Sequence, residues 1–336
     1  MHDRAGHQCC VTVIRLRTGY NRAVRAPSVA ELFSPQSLGL WTGTDPCANP
    51  PTATEAQCAN TGVLPGQYGN ISRSPAGQYN AIYGGNQTLD VETADTFTFG
   101  VVVNPLDTMQ FSVDYWDIQI EDTISNVFAE TSLNQCVANG GGLCDNIHRG
   151  VGGTLWLGTS GFVDSVNQNI GSQHWTGVDL AWAWSLGTNW QFDLIGTYSI
   201  KKETTPLPGD PESTYDCAGV ISPQCYPNPD WRSTATGTYD SNSWWAVTAR
   251  WRYYSKIDYV GSTDTLIADG IKAQNYFDLN GVIRFMDTND VVFGVNNIFD
   301  EEPPLMGNTV STNGNTVVGF FDTLGRYFYA DVTFRF

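Results

Sequence analysis

The sequence predicts an all-β protein whose antiparallel strands form an up-and-down transmembrane β-barrel. Three observations predict this fold. Ten segments alternate apolar and polar residues with a period of two, their connections are short and long in turn, and the chain ends on an aromatic strand. Alternation over about ten residues lets a strand face lipid on one side and water on the other.

The final segment shows the alternation most clearly. From residue 327 to the end, the residues on one side of an extended chain are all apolar: Phe328, Ala330, Val332, Phe334 and Phe336. Free chain ends usually fray into solvent. An apolar face that continues to the last residue therefore indicates that this strand is paired and that its apolar face contacts lipid.

The same alternation predicts nine further strands, because a half-exposed strand is the standard interpretation of this period. In segment 243–257, for example, Trp245, Val247 and Trp251 lie opposite Arg250 and Arg252. The ten predicted strands are 11–20, 94–104, 108–121, 173–186, 189–204, 229–239, 243–257, 274–286, 290–298 and 326–336.

The connections alternate in length without exception. Tight turns rich in Asn, Asp, Gly and Pro fall near 104–107, 187–188, 239–242 and 287–289. The long connections are 21–93, 122–172, 205–228, 258–273 and 299–325. Short periplasmic turns and long external loops are typical of outer-membrane barrels, which places the C-terminus on the periplasmic side. One helix is predicted in a long connection, from Glu130 to Ala138, because Asn139-Gly140-Gly141 is a helix stop.

Composition limits the class of protein. The formal net charge of −17 excludes a general nucleic-acid binder, which needs a basic surface. The acidity has two interpretations, solvation of long loops or attraction of cationic and metal-chelating ligands. The sequence contains no run of eighteen apolar residues, so no transmembrane helix is predicted. Residues 1–10 lack the apolar core of a signal peptide, so we expect a non-native or disordered start there and the barrel over 11–336.

The cysteines indicate an oxidising compartment. Six of the eight form close pairs within long connections: Cys47 with Cys58, Cys136 with Cys144, and Cys217 with Cys225. Close pairs confined to loops predict local disulfides. A zinc site is less favoured because Cys-x-x-Cys is absent and the four histidines are scattered. The adjacent Cys9 and Cys10 have no interpretation.

No catalytic motif is present. The sequence contains neither Gly-x-Ser-x-Gly, nor a Gly-rich lysine loop, nor His-Glu-x-x-His. The prediction is therefore a protein that is not an enzyme and needs no cofactor or metal. The acidic triplet Asp300-Glu301-Glu302 admits a calcium site, but the start of a solvated loop is the favoured interpretation.

Charged residues on the polar sides of the strands are the candidate ligand contacts. They either line a polar lumen, where the arginines pair with the carboxylates or with an internal plug, or simply face water. The candidates are Asp114, Asp179, Asp193, Arg250, Arg252, Asp278 and Arg284.

Trp and Tyr residues collect near strand ends. Two interpretations stand, an aromatic girdle at the membrane interface and a platform on which sugars stack. The recurrence at strand ends favours the girdle. The residues are Tyr115, Trp116, Trp175, Trp190, Trp231, Trp244, Trp245, Tyr253 and Tyr254.

Four ordered motifs resemble TonB-dependent outer-membrane receptors. Residues 25–33 are similar to their Arg-x-Pro-x-x-x-Glu-Leu-Phe segment, and residues 91–94 to their Pro-Glu-x-(Ala/Ser) stretch, although Val91 replaces the proline. Residues 297–300 resemble Asn-Leu-Phe-Asp near the receptor C-terminus, and 322–336 resemble the final strand. Together the matches extend along the chain from about residue 16 to the end.

The resemblance implies a 22-stranded barrel with an N-terminal plug in the outer membrane of a Gram-negative bacterium. Such receptors take up scarce ligands (siderophores, cobalamin or oligosaccharides) with energy passed from the inner membrane by the TonB protein, which acts through the plug. Phe334 and Phe336 resemble the terminal signal read by the barrel-assembly machinery. The implied partners are outer-membrane lipid, TonB, that machinery and the ligand.

The family's plug and energy-coupling box have no counterpart in this sequence. We therefore expect a fragment, an unclosed half-barrel of about ten strands, which does not function alone because the hydrocarbon layer does not tolerate unpaired strand edges. Two alternatives remain open. One is a passive porin-like channel, and the other is a secreted β-protein that binds carbohydrate.

Overall fold

The computed structural model of the chain describes residues 13–207, 213–222, 224–261, 266–286, 289–307 and 315–335. The predicted start at 1–10 with Cys9 and Cys10, most of the predicted turn at 287–289, and Phe336 lie outside the described residues.

Strands dominate the described residues, with three short α-helices among them. In chain order the elements are β1 (Val13–Arg25), α1 (Val29–Phe33), β2 (Ser37–Thr42), α2 (Glu55–Asn60), β3 (Gln78–Tyr83), β4 (Glu92–Leu106), β5 (Met109–Asn126), α3 (Ala129–Asn139), a 3-10 helix (Gly142–Asn146), β6 (Ile147–His148), β7 (Phe162–Asp164), β8 (Asn167–Leu186), β9 (Trp190–Thr205), β10 (Tyr215–Asp216), β11 (Val220–Ile221), β12 (Trp231–Asp240), β13 (Trp245–Tyr254), β14 (Asp258–Tyr259), β15 (Gln274–Phe285), β16 (Asn289–Asn296) and β17 (Tyr327–Thr333).

Ten strands form one large sheet in chain order, β1-β4-β5-β8-β9-β12-β13-β15-β16-β17, and each is antiparallel to the next. Strand β10 pairs with β9 off this path. All ten predicted strands and the up-and-down order are therefore confirmed. Within the described residues β1 and β17 stand at the two edges without pairing to each other, so the sheet is not closed, as predicted.

Several strands extend further toward the long connections than the alternation predicted. Strand β8 begins at Asn167 rather than 173, β5 continues to Asn126 rather than 121, and β1 continues to Arg25. Register shifts interrupt the β5–β8 ladder around Thr123. Most residues in these extensions are polar on both faces of the strand, so the period-two signal disappears.

The apolar side of the large sheet is exposed. Large side chains on this side keep from 37% to 70% of their surface accessible. They include Phe97, Phe99, Phe111, Trp251, Phe277, Leu279, Ile283, Phe293, Phe328 and Val332. This surface is an outward-facing hydrophobic band rather than a protein core, which confirms the central prediction from sequence. None of the helices in the described part of the chain is long and apolar enough to cross a membrane.

The buried apolar residues lie mostly in the long connections, in two separate clusters. Connections 26–91 and 127–166 together bury the first cluster, and we call this unit lobe A. Connections 206–230, 255–273 and 297–326 share the second cluster, and we call this unit lobe B. The predicted loops are therefore folded units with cores of their own.

Lobe A is built around a four-stranded sheet of order β2-β3-β7-β6. Helix α2 begins at a capping box in which Thr54 accepts from the Gln57 backbone N–H and the Gln57 side chain accepts from that of Thr54. Helix α3 confirms the predicted helix and ends at Gly140, whose φ of 66° favours glycine. The described part of lobe B contains β10, the parallel pair β11–β14 and single bridges such as Ile257 to Ile271.

Candidate ligand-binding face

All seven charged residues predicted as candidate contacts lie on the polar face of the large sheet. The strand register shows this directly, since Asp114 is opposite Asp179 across β5 and β8. Arg250 is likewise opposite Asp278 across β13 and β15. Asp193, Arg252 and Arg284 occupy the same face at their own register positions.

Arg252 is the centre of the densest charge network on this face. Its guanidinium donates to both oxygens of Asp278 at 2.9 and 3.1 Å and to Asp322 at 2.9 Å. Arg250 also donates to Asp278, at 2.8 Å. The Asp278 side chain is only 4% exposed, so these charge-assisted bonds replace the water it has lost. Because Asp322 lies in the connection before β17, the network ties lobe B to the wall.

The other predicted residues have different partners. Arg17 donates to Asp114 through Nε at 2.6 Å, and Arg284 donates to Asp240 at 2.7 and 3.0 Å. Two carboxylates accept from neutral groups: Asp179 from Thr197 and Asp193 from Gln191. Among the described residues neither of these two has a cationic partner.

A cavity of about 480 Å³ opens on the polar face between β8, β9, β12 and β13. Asp179, Thr197, Arg232, Thr234 and Tyr254 contribute polar groups to it. Within the described part of the chain, the side chain of Arg232 makes no hydrogen bond or ion pair, unlike those of Arg250 and Arg252. An exposed guanidinium beside a cavity is available to bind an anionic group.

Arg232 was missed from the sequence, although a signal existed. In the alternation of β12 it falls on the same side as Thr234, Thr236 and Thr238 and on the opposite side from Trp231.

Lys202 is a second cation on this face. It lies 5.4 Å from the ring of Trp175 and donates to Asn228 at 3.4 Å.

The aromatic residues divide between the two faces. Trp190 contacts Tyr239, Tyr239 contacts Trp245, and Trp245 contacts Trp244, with ring centroids 4.8, 5.3 and 6.3 Å apart at the short-turn end. This row agrees with a girdle.

Three other residues correct the girdle prediction. Trp116 and Trp175 lie on the polar face of β5 and β8, and Tyr254 lines the cavity. For Trp116 and Tyr254 the prediction failed because adjacent residues in a strand point to opposite faces, and each follows a tyrosine on the apolar face. Trp175 shares the polar face with Asp179, two positions along the same face of β8.

All three predicted disulfides form: Cys47–Cys58, Cys136–Cys144 and Cys217–Cys225. The first two lie within lobe A and the third within lobe B. Lobe A is also cross-linked by Arg149, whose guanidinium donates to both oxygens of Asp45 at 2.7 and 3.0 Å. Only 2% and 1% of these two side chains are exposed. This ion pair joins the two connections of the lobe.

The sequence motifs around residues 25–33 and 91–94 join the end of β1 to α1 and to the start of β4. Arg25 donates to both oxygens of Glu31 at 3.0 and 3.1 Å and to Glu92 at 2.8 Å. Glu31 also accepts from the Ser28 backbone. The Arg25 guanidinium, followed by the Ser28 N–H, lowers the pKa of the Glu31 carboxyl to about 2.

The motif near the end of the chain has a similar structural role. Asn297 is buried, donates to the Glu301 carbonyl and accepts from its N–H at 2.9 and 2.8 Å. The Asp300 carboxylate accepts from the Arg326 N–H at 2.7 Å.

Among the described residues no group of three or more His, Cys, Asp or Glu side chains is arranged to hold a metal ion.

The chain matches the family model described as TonB dependent receptor-like, beta-barrel, over residues 12–298. No curated protein matches it. Its fold resembles the ferric enterobactin receptor PfeA of Pseudomonas aeruginosa, solved with enterobactin (14% identity, TM-score 0.60, 95% of this chain and 38% of that one).

Two further solved structures are similar. The siderophore receptor PirA of Acinetobacter baumannii shares 15% identity with a TM-score of 0.54, over 95% of this chain and 38% of that chain. The copper transporter OprC shares 17% identity with a TM-score of 0.51, over 96% and 37%. At these identities the likeness establishes the fold alone, and the chain spans under two fifths of each structure's length. With the family model covering most of its residues, this chain belongs to the TonB-dependent receptor family and contains strands of its outer-membrane β-barrel.

Proposed function

We propose that this chain is the C-terminal part of the barrel of a receptor that actively takes up a scarce ligand through the outer membrane. Its polar face, including Asp114, Asp179, Asp193 and Arg284, lines the ligand path. The short-turn side and the C-terminus face the periplasm. Energy coupling by TonB acts through a plug, and the barrel-assembly machinery inserts the protein, with Phe334 and Phe336 as its signal.

The unpaired Arg232 beside the 480 Å³ cavity is the observation that carries this proposal. Most other arginines of the large sheet are paired with carboxylates, which stabilise the wall. An unpaired guanidinium does little for the wall, but it fits an anionic chelate such as a ferric siderophore. The similar structures include receptors for such ligands.

An oligosaccharide is the second candidate ligand. Trp116 and Trp175 present aromatic rings on the polar face, and Tyr254 presents one at the cavity itself, so sugar rings can stack on this face. An uncharged sugar would depend on these rings rather than on Arg232. The two candidates therefore predict opposite sensitivities to substitution.

The proposal is tested by uptake in a receptor-deficient Gram-negative host that expresses the full-length protein. The probes are ferric enterobactin, ferric citrate, cyanocobalamin and maltoheptaose. We expect Arg232→Gln to weaken binding of an anionic chelate about tenfold, the loss of one charge-assisted hydrogen bond. Arg335→Gln, at the short-turn end, is the matched control and should bind as the wild type does.

A protonophore separates active uptake from a passive channel. Uptake driven from the inner membrane stops when the proton gradient collapses, whereas diffusion through a pore continues. Uptake that survives the protonophore contradicts the proposal and favours the porin-like alternative.

The two candidate ligands are separated by substitution. If Trp175→Ala loses maltoheptaose uptake while Arg232→Gln keeps it, the ligand is the oligosaccharide.

A further inference from the structure

A groove runs along the apolar side of β12, and the transport proposal does not use it. Its floor consists of the small residues Ala235 and Gly237 of β12 and Ala249 of β13. The groove has a volume of about 390 Å³. Ser233 continues the same row of small side chains toward the long connections.

Two rows of aromatic rings form the walls of this groove. On the β8–β9 side, Trp182, Trp184, Phe192 and Trp190 follow one another with ring centroids 6.1, 5.7 and 5.8 Å apart. On the β13–β15 side, Tyr253, Trp251, Phe277 and Phe299 follow one another at 5.8, 6.1 and 5.3 Å. Each row of rings supports its own members, so the walls are preformed.

The ends of the groove differ. At the short-turn end Tyr239 contacts Trp190 of the first wall and Trp245 of β13, and these rings lie across the end of the groove. At the long-connection end Phe299 comes from the connection after β16 and extends the second wall beyond the strands. Its side chain is 72% exposed. The groove therefore has a defined length along the strand direction.

The chemistry of the groove fits hydrocarbon. The charged residues that border the groove, Asp193, Arg250 and Asp278, do so through their backbone. Their strand register places their side chains on the opposite, polar face of the sheet. The walls stand on β9 and β13, which are two strand spacings or about 10 Å apart. A helix with its side chains is about 10–12 Å wide and does not fit between the walls. A single extended hydrocarbon chain is narrow enough to fit between them.

The surroundings of the groove identify the occupant. The groove is continuous with the exposed apolar band formed by residues such as Leu279 and Phe293, and in this family that band faces outer-membrane lipid. We propose that the groove on β12 is a binding site for one acyl chain of a membrane lipid, held more firmly than the lipid around it. This proposal depends on membrane insertion and not on which ligand the receptor takes up.

Native mass spectrometry of the full chain tests the proposal, with dioleoylphosphatidylglycerol titrated into detergent micelles as the probe. The test variant is Gly237→Leu, which fills the floor of the groove. A Cβ at this glycine lies 3.4 Å from the nearest ring atom of Phe192 and meets no backbone atom within 4 Å among its nearest neighbours, and retained β-sheet circular dichroism checks that the variant folds. The matched control is Ala330→Leu, which adds the same side chain on the apolar face of β17.

We expect the wild type and Ala330→Leu to retain one more lipid than Gly237→Leu at equal lipid concentration. Bromination of the acyl chains should also quench tryptophan fluorescence less in Gly237→Leu than in the control, because Trp182 and Trp251 flank the groove. Equal retention in all three proteins contradicts the proposal. A wild-type dimer that disappears in Gly237→Leu also contradicts it, since a second copy would then occupy the groove.

Discussion

The wall of the barrel and its lobes use apolar side chains in opposite ways. In the wall, Phe293 and Phe328 are about half exposed or more, whereas in lobe A Leu133 and Leu155 are completely buried. The hydrophobic effect favours both arrangements, because lipid covers the wall and water surrounds the lobes. The solvent that each region meets decides where its apolar side chains lie.

The difference extends to what holds each region together. Each strand of the wall pairs with its neighbours in the sheet, β1 and β17 on one side only, so backbone hydrogen bonds between strands stabilise the wall without a core. The lobes have few long strands, and small units with modest cores usually need cross-links. Lobe A has two disulfides and the Arg149–Asp45 ion pair, and lobe B has one disulfide and the Arg252–Asp322 contact.

The largest expected effect is on lobe A. Replacement Arg149→Ala leaves the Asp45 carboxylate buried without its partner, which costs about 3–5 kcal/mol. Hydrogen exchange should rise across both connections of lobe A, 26–91 and 127–166, and stay unchanged in β12 and β13. Arg73→Ala, which removes a cation with no ion-pair partner among the described residues, is the control. If exchange rises equally in the wall, the lobes and the wall are not separate units.

A charge on the apolar side of the wall has the next largest effect. Phe293→Arg places a cation in the lipid-facing band and should lower stability by about 2–4 kcal/mol. Thr236→Arg, on the polar face, is the matched control and should cost far less. The comparison is measured by urea unfolding in lipid bilayers. Equal costs on the two faces would show that the band does not meet lipid.

Reduction of the disulfides should affect only the lobes. Opening each short loop removes about 2–3 kcal/mol of stabilisation from its lobe on chain-entropy grounds. Limited proteolysis with reductant should cut within 26–91, 127–166 and 206–230 and leave the strands of the wall intact. The β-sheet circular dichroism should persist. Its collapse on reduction would mean that the lobes support the wall.

The smallest expected effect depends on pH. The pKa of Glu31 is lowered to about 2 in the folded protein, so between about pH 4.5 and 2 the unfolded chain binds more protons. Stability from the Arg25–Glu31 pair is therefore present above pH 4.5 and is lost as the pH falls toward 2. The difference in melting temperature between wild type and Glu31→Gln should shrink from pH 7 to pH 3. With Glu55→Gln as control, no such shrinkage is expected.

Sequence reasoning succeeded where a strand has lipid on one face and water on the other, because apolar and polar residues then alternate. The ten strands, the alternation of short and long connections, helix α3 and the three cysteine pairs all follow from local patterns. It failed at the first residues of β8, where mostly polar residues remove the period-two signal. It failed also at Trp116 and Tyr254, each of which follows a tyrosine that points to the other face, and at Trp175. The role of Arg25, Glu31 and Glu92 as one ion-pair group was not visible, since 67 residues separate the first from the last.

The sequence by itself determined the period of each strand and hence which side chains share a face, because adjacent residues of a strand must point in opposite directions. It could not determine which distant residues meet. Only the tertiary structure decided that the long connections fold into two lobes and that Arg149 pairs with Asp45 across 104 residues. It also decided that the Arg232 side chain lies beside a cavity with no partner among the described residues. These contacts depend on strand register and on how connections pack, and no local pattern encodes either.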